Sequence, residues 1–107
     1  MNFLIIGDVV GRSGRNAIQN NLKKIQHHFS IDFTIINAEN SAGGYGITGK
    51  IYEDIISWGA DVITLGNHAW KKEEIIKYMQ NNPHHNMIRP LNFTKDSPGQ
   101  GYKIFTH

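Results

Sequence analysis

Three short apolar runs, Phe3-Leu4-Ile5-Ile6, Phe33-Thr34-Ile35-Ile36 and Asp61-Val62-Ile63-Thr64-Leu65, constrain this chain more than any other feature. Each is strand-sized. The first two are close to unbroken, the pattern of strands covered on both faces, as in a parallel sheet. The segments between them change period. Ala17, Ile18, Leu22, Ile25 and Phe29 recur at helical spacing after Gly11-Arg12-Ser13-Gly14, with Ser13 as the expected N-cap. Ile51, Ile55 and Ile56 mark a second helix, with Thr48 as its cap and Gly59 as its terminator. Ile75, Ile76 and Met79 predict a third over 71–81, ending before Pro83. The order β-α-β-α-β-α with short loops predicts an α/β fold whose right-handed crossovers lay the strands side by side and parallel. Met87-Ile88 is expected to begin a further short strand, and Tyr102 to Phe105 another.

Composition narrows the function classes. The chain has 107 residues, room for one domain. With no cysteine it can build no disulfide framework, thiolate zinc site or thiol nucleophile. Eleven Lys/Arg against nine Asp/Glu leave a net charge of +2 with the basic residues scattered, which argues weakly for nucleic acid. No apolar run is long enough to span a membrane, and Met1–Ile6 meets Gly7-Asp8 too soon for a signal peptide. The expected location is the cytoplasm.

The chemistry lies where the strands stop. The first run enters Gly7-Asp8, the second Asn37-Ala38-Glu39-Asn40, the third Gly66-Asn67-His68. Ligands of an open parallel sheet bind outside the carboxyl ends of its strands. Singly, Asp8 is an ordinary turn cap, the asparagines are ordinary turn residues, and His68 is an ordinary half-buried histidine. Together they bring two hard carboxylates, neutral amide oxygens and one imidazole to a single edge. That donor mix suits Mn²⁺, Fe or Mg²⁺. Paired ions about 3.5–4 Å apart can share a carboxylate and activate water against a phosphate. A histidine titrating near neutrality can protonate a leaving alkoxide.

Other features have plainer readings. His27-His28 falls at a helix C-terminus, where a cation suits the dipole, and His84-His85 lies in a polar loop; both pairs are expected to be solvated. Trp58 and Trp70 are expected to pack, Trp70 close enough to His68 to shape a pocket wall. Gly44-Tyr45-Gly46-Ile47-Thr48-Gly49-Lys50 fits the start of a phosphate-binding loop, but Ile51 stands where a metal-binding hydroxyl is needed, so a flexible loop beside the strand-end edge is the expectation.

The motifs Gly7-Asp8-Val9-Val10-Gly11, Asn37-Ala38-Glu39-Asn40-Ser41-Ala42-Gly43-Gly44 and Gly59-Ala60-Asp61-Val62-Ile63-Thr64-Leu65-Gly66-Asn67-His68 resemble those of the YmdB-type metallophosphoesterases of the calcineurin-like superfamily. Arg89-Pro90-Leu91-Asn92-Phe93 and Pro98-Gly99-Gln100-Gly101 match the next loop. The resemblance implies a two-metal phosphodiesterase, using Fe, Mn or a similar ion with Mg²⁺ as a further option, and acting on cyclic nucleotides such as 2′,3′-cyclic AMP. It implies that Asp8 ligates the first metal with Asn40 beside it, that Glu39 bridges, that Asn67 ligates the second metal, and that His68 donates a proton to the leaving group. Val10 stands where the wider superfamily has histidine, and Glu39 where Asp is usual, both as in this subfamily.

Such proteins are more than twice as long and carry three further histidine ligands and a second sheet, forming an α/β/β/α sandwich. The expectation is therefore that 1–107 is the N-terminal part of a metallophosphoesterase domain, the parallel-sheet half of the sandwich, with the C-terminal part absent. Apolar strand faces would then meet water at about 25 cal/mol per Å², so the chain would be marginal, homo-oligomeric or dependent on its other half. The rival expectations are a non-catalytic remnant or partner-dependent metal-binding module, and a nucleotide-binding module built on Gly44–Lys50.

Overall fold

A computed structural model describes residues 1–107. β1 (Phe3–Ile6), α1 (Gly11–His28), β2 (Phe33–Asn37), α2 (Gly49–Trp58), β3 (Val62–Thr64), α3 (Glu74–Asn81) and β4 (Met87–Ile88) follow one another in strict alternation. The four strands form one parallel sheet in the order β1-β2-β3-β4. The α/β expectation holds, and Met87-Ile88 is the fourth strand.

Strand order decides where the helices lie. Each strand is placed beside its predecessor, always in the same direction. Three right-handed crossovers of that kind put all three helices on one face. Leu4, Ile6, Thr34, Ile36, Ile63 and Met87 share that face by the two-residue alternation and the sheet register. They meet Ile18 and Leu22 of α1, Ile51 and Ile55 of α2, and Ile75 and Met79 of α3 in a single core. Thr34, fully buried, is satisfied by Gln26, whose amide donates to the Thr34 hydroxyl and to the Gly59 carbonyl, both at 2.9 Å. Gly59 ends α2 at φ 126°, and a Cβ there would press on the Gln26 amide.

The opposite face is partly bare. Phe3 is 56% exposed and Ile5 72% exposed. Elsewhere it is covered: Val62 of β3 is buried, and Phe105 from the chain's last residues packs on Phe33 at 5.4 Å between ring centroids. The strand expected over Tyr102–Phe105 does not form. After an isolated bridge between Ile88 and Gln100, the tail leaves the sheet edge, and Lys103 is held instead by the His85 carbonyl and the Asn86 side chain.

Three helix ends bear on the sequence reading. Thr48 caps α2, its hydroxyl accepting from Ile51 N–H at 3.2 Å. Ser13 does not cap α1, because the helix begins two residues earlier: Gly11 N–H reaches Asn40 O at 3.0 Å, which draws the first turn against the β2 end. Residues 71–73 stay outside α3, their turn being closed by the Lys71 N–H to His68 O bond.

His85 is half-buried rather than solvated. Its Nδ1 accepts from Met87 N–H at 3.1 Å. Burial, then the nearby Lys103 cation, push its pKa below the usual histidine value. The folded state thus favours neutral His85. Its contribution is present above the unfolded histidine pKa of about 6.5 and is lost as pH falls through the lower folded value. Urea titrations should show stability falling on acidification below about pH 6.5, and His85→Asn should remove that part of the pH dependence. The same assay should separate the two sheet faces. Ile36→Ala, at a fully buried position, should cost about 2–5 kcal/mol, whereas Ile5→Thr on the bare face should change stability by no more than about 0.5 kcal/mol.

Candidate active site at the strand ends

Parallel pairing brings the carboxyl ends of β1, β2 and β3 to one edge, and backbone bonding continues past the strands. Val9 N–H donates to Asn37 O at 3.1 Å, Ala38 N–H to Thr64 O at 3.1 Å, and Leu65 N–H to Ile88 O at 2.9 Å. Ala38, Ser41 and Ala42 are buried, and the Ser41 hydroxyl donates to Ala38 O at 2.7 Å, closing a tight turn beneath Glu39 and Asn40. The side chains at the edge therefore stand on a backbone fixed from both neighbouring strands.

Four of the five expected site residues form one connected set. Asn40 Nδ2 donates to Asp8 Oδ1 at 2.8 Å. Its other polar atom, Oδ1, meets His68 Nδ1 in a short hydrogen bond. Glu39 Oε2 accepts from the His68 backbone N–H at 3.3 Å. The direction of these bonds fixes the imidazole tautomer. With the Asn40 amide nitrogen facing a carboxylate, its oxygen is the acceptor, so His68 Nδ1 carries the proton. Nε2 is then the nitrogen free for chemistry. Asp8 polarises Asn40, which strengthens the acceptor that holds the ring. Asn67, exposed, joins none of these bonds. Trp70 packs against the core and pairs with Phe93, at 6.2 Å between ring centroids; the aromatic ring beside His68 is Tyr45.

The donor chemistry, two carboxylates with amide oxygens, fits part of a site for a hard divalent ion. It is not a complete one. No three His, Cys, Asp or Glu side chains are grouped closely enough to hold an ion, and both polar atoms of Asn40 are engaged by neighbours. The edge is also an open ledge. The main concavities lie elsewhere, such as a hollow of about 420 Å³ bordered by Arg89 and Gly99–Ile104. Lys50 of the glycine-rich run pairs with Asp54 one helical turn on, at 3.0 Å, instead of facing the loop.

One feature was not singled out in the sequence. Gly66 has its missing side chain's place taken by the Glu39 carboxylate, so that a Cβ there would overlap all three carboxylate atoms. The Gly-Asn-His motif carried this glycine in view, but only the fold shows what fills its space. The glycine-rich loop lies beside the edge, as expected, and is hydrogen-bonded shut: Ala42 N–H reaches Gly46 O at 2.9 Å, and Gly46 N–H reaches Glu39 O.

A profile described as YmdB-like protein matches residues 4–107. The chain belongs to the YmdB-like family. It is 46% identical over 101 residues to a 2′,3′-cyclic-nucleotide 2′-phosphodiesterase of Bacillus subtilis, covering 94% of this chain and 38% of that protein. Among solved structures, a novel phosphatase from Mycoplasma pneumoniae superposes with a TM-score of 0.87 at 36% identity, over 98% of this chain and 38% of that one. A hypothetical protein from Thermus thermophilus gives the same TM-score at 33% identity, over 99% of this chain and 40% of that one. The chain thus spans about two-fifths of the length of the relatives it matches, and its fold corresponds to the parallel-sheet half of a calcineurin-like sandwich.

Replacing Gly66 with Ala should force the Glu39 carboxylate out of its seat and break its bond to the His68 amide. The expected cost is about 1–3 kcal/mol, as for other overpacking changes, with a large shift of the His68 amide resonance; a Glu39→Ala background, which empties the space, should relieve most of the cost.

Proposed function

We propose that this chain carries the acid-donating and carboxylate–amide part of a metal-dependent phosphodiesterase that hydrolyses cyclic nucleotides such as 2′,3′-cyclic AMP in the cytoplasm. The observation that carries this reading is the linked set Asp8–Asn40–His68–Glu39, drawn from three separate strand ends. The name borne by the Bacillus subtilis relative supports the substrate class.

On this reading residues 1–107 are the N-terminal part of a metallophosphoesterase domain. Asp8, Glu39, Asn40 and Asn67 hold one side of a centre for two divalent ions, iron or manganese before magnesium. When bound, such ions supply Lewis acidity and an activated water. The chain's own residues do the rest. His68, held through Nδ1–H by Asn40, acts from its doubly protonated imidazolium form: Nε2–H gives its proton to the departing ester oxygen as the P–O bond breaks, which leaves the neutral Nδ1–H ring that Asn40 holds. Asp8 keeps Asn40 oriented, and so sets the ring's angle. Glu39 holds the His68 backbone in place through its N–H and keeps one carboxylate oxygen for the centre. Asn40 must release His68, or share its Oδ1, to ligate.

A second reading has an observation of its own. Because no three charged or imidazole donors are grouped, the chain alone could act as a metal-binding module that works only with a partner surface, either a second copy or the region that its relatives have beyond the matched stretch. Hydrolysis of 2′,3′-cyclic AMP with Mn²⁺ or Fe²⁺ tests the phosphodiesterase reading. The chain alone should show little or no turnover. Fusion to the region of the Bacillus subtilis relative that follows the match should restore it, and His68→Ala in the fusion should then lower kcat about 10²–10⁴-fold, the usual contribution of a positioned acid. Asp8→Ala should be at least as damaging. No turnover in the fusion would count against the phosphodiesterase reading.

A further inference from the structure

The loop between Ala42 and Ile47 is built at some conformational cost to hold a single aromatic ring in water. Gly43, Gly44 and Gly46 sit at φ 68°, 108° and 85°, all in the left-handed region. Both flanks are anchored, Ala42 and Ile47 being buried. Gly46 is pressed on Lys72, where a Cβ would lie 2.7 Å from the Lys72 Cγ and 3.0 Å from its backbone nitrogen. Between these clamps Tyr45 is 55% exposed and takes no part in the core. Its ring stands 6.1 Å from the His68 imidazole, edge to face, and the Lys72 ammonium lies 5.8 Å from its centroid. A large apolar ring kept in solvent, beside the proposed proton donor, on an edge without walls, has no packing role to explain it.

We propose that Tyr45 is the platform on which the heterocyclic base of a nucleotide substrate stacks while its phosphate lies at His68. The inference rests on the phosphodiesterase reading above and adds the part of the substrate that the strand-end residues cannot recognise. Carboxylates, amides and an imidazole address the phosphate ester. A flat aromatic surface addresses the face of a base, and such rings stack on any base because every base has a π-face. Lys72 covers part of the ring with a cation, which enriches the contact for an electron-rich heterocycle. The ledge therefore distinguishes nucleotides from simple phosphodiesters, with little preference among bases.

Calorimetric affinities of this chain, in Mn²⁺, for 2′,3′-cyclic AMP and for the 2,3-cyclic phosphate of methyl riboside test it, since the second ligand keeps the sugar and phosphate and lacks the base. The nucleotide should bind about 5- to 150-fold more tightly, the range of one base–aromatic stack. Tyr45→Ala should erase that preference while leaving the baseless affinity and the melting temperature unchanged, and Tyr45→Phe should keep it. Equal affinity for the two ligands, or a preference that survives Tyr45→Ala, overturns the platform and leaves the phosphodiesterase reading standing. Binding of neither ligand also overturns the platform, while turnover of the fusion decides the phosphodiesterase reading.

Discussion

The backbone bonds that run past the strand ends hold the candidate site together. Val9 to Asn37, Gly11 to Asn40 and Ala38 to Thr64 extend the sheet's ladder into what would otherwise be three independent loops. Side chains on separate loops meet only at a large entropic cost. Here that cost is offset by peptide groups that need partners in any case. Asp8, Glu39, Asn40 and His68 inherit their geometry from this scaffold, and the hydrogen bonds among them refine it. The arrangement also explains why α1 starts at Gly11: its first N–H is committed to Asn40 O, so the helix begins where β2 ends.

The two faces of the sheet are in different states. One is sealed by three helices over a continuous core, and the other leaves Phe3 and Ile5 largely in water, with the tail crossing only part of it. The relatives are more than twice as long, and the matched stretch is about two-fifths of them. One apolar face of the sheet is thus largely uncovered, and the strand-end edge holds two carboxylates with no third charged donor grouped beside them.

Much of this was legible in the residues. The apolar runs mark the strands because they are short, rich in β-branched and aromatic residues and bounded by turn residues, and the strand-end polar residues mark the candidate site because a parallel sheet gathers its carboxyl ends. Thr48 and Gly59 read correctly since their roles depend only on neighbours in sequence. Ser13, Tyr102–Phe105 and His85 did not, since each is decided by a distant partner: Asn40 O draws α1 to an earlier start, Lys103 and Phe105 turn the tail off the edge, and the Met87 amide recruits His85. Near-continuous apolar runs suggested strands covered twice over; the monotonic strand order places all the helices on one side. Gly66 escaped because a residue without a side chain gives no sign of what occupies its space.

The same monotonic order has a consequence for how the molecule is made. Because β2 pairs with β1, β3 with β2 and β4 with β3, no strand has to be inserted between two that are already joined. Each βα unit emerging from the ribosome finds its docking edge complete, so the sheet can grow by accretion from the amino terminus with only short loops to close. Asp8 is in position first, Glu39 and Asn40 arrive with the second strand, and His68 arrives with the third. The linked set closes only when β3 has joined, so a ribosome-stalled chain lacking β3 would hold Asp8 beside Asn40 with His68 still outside the sheet.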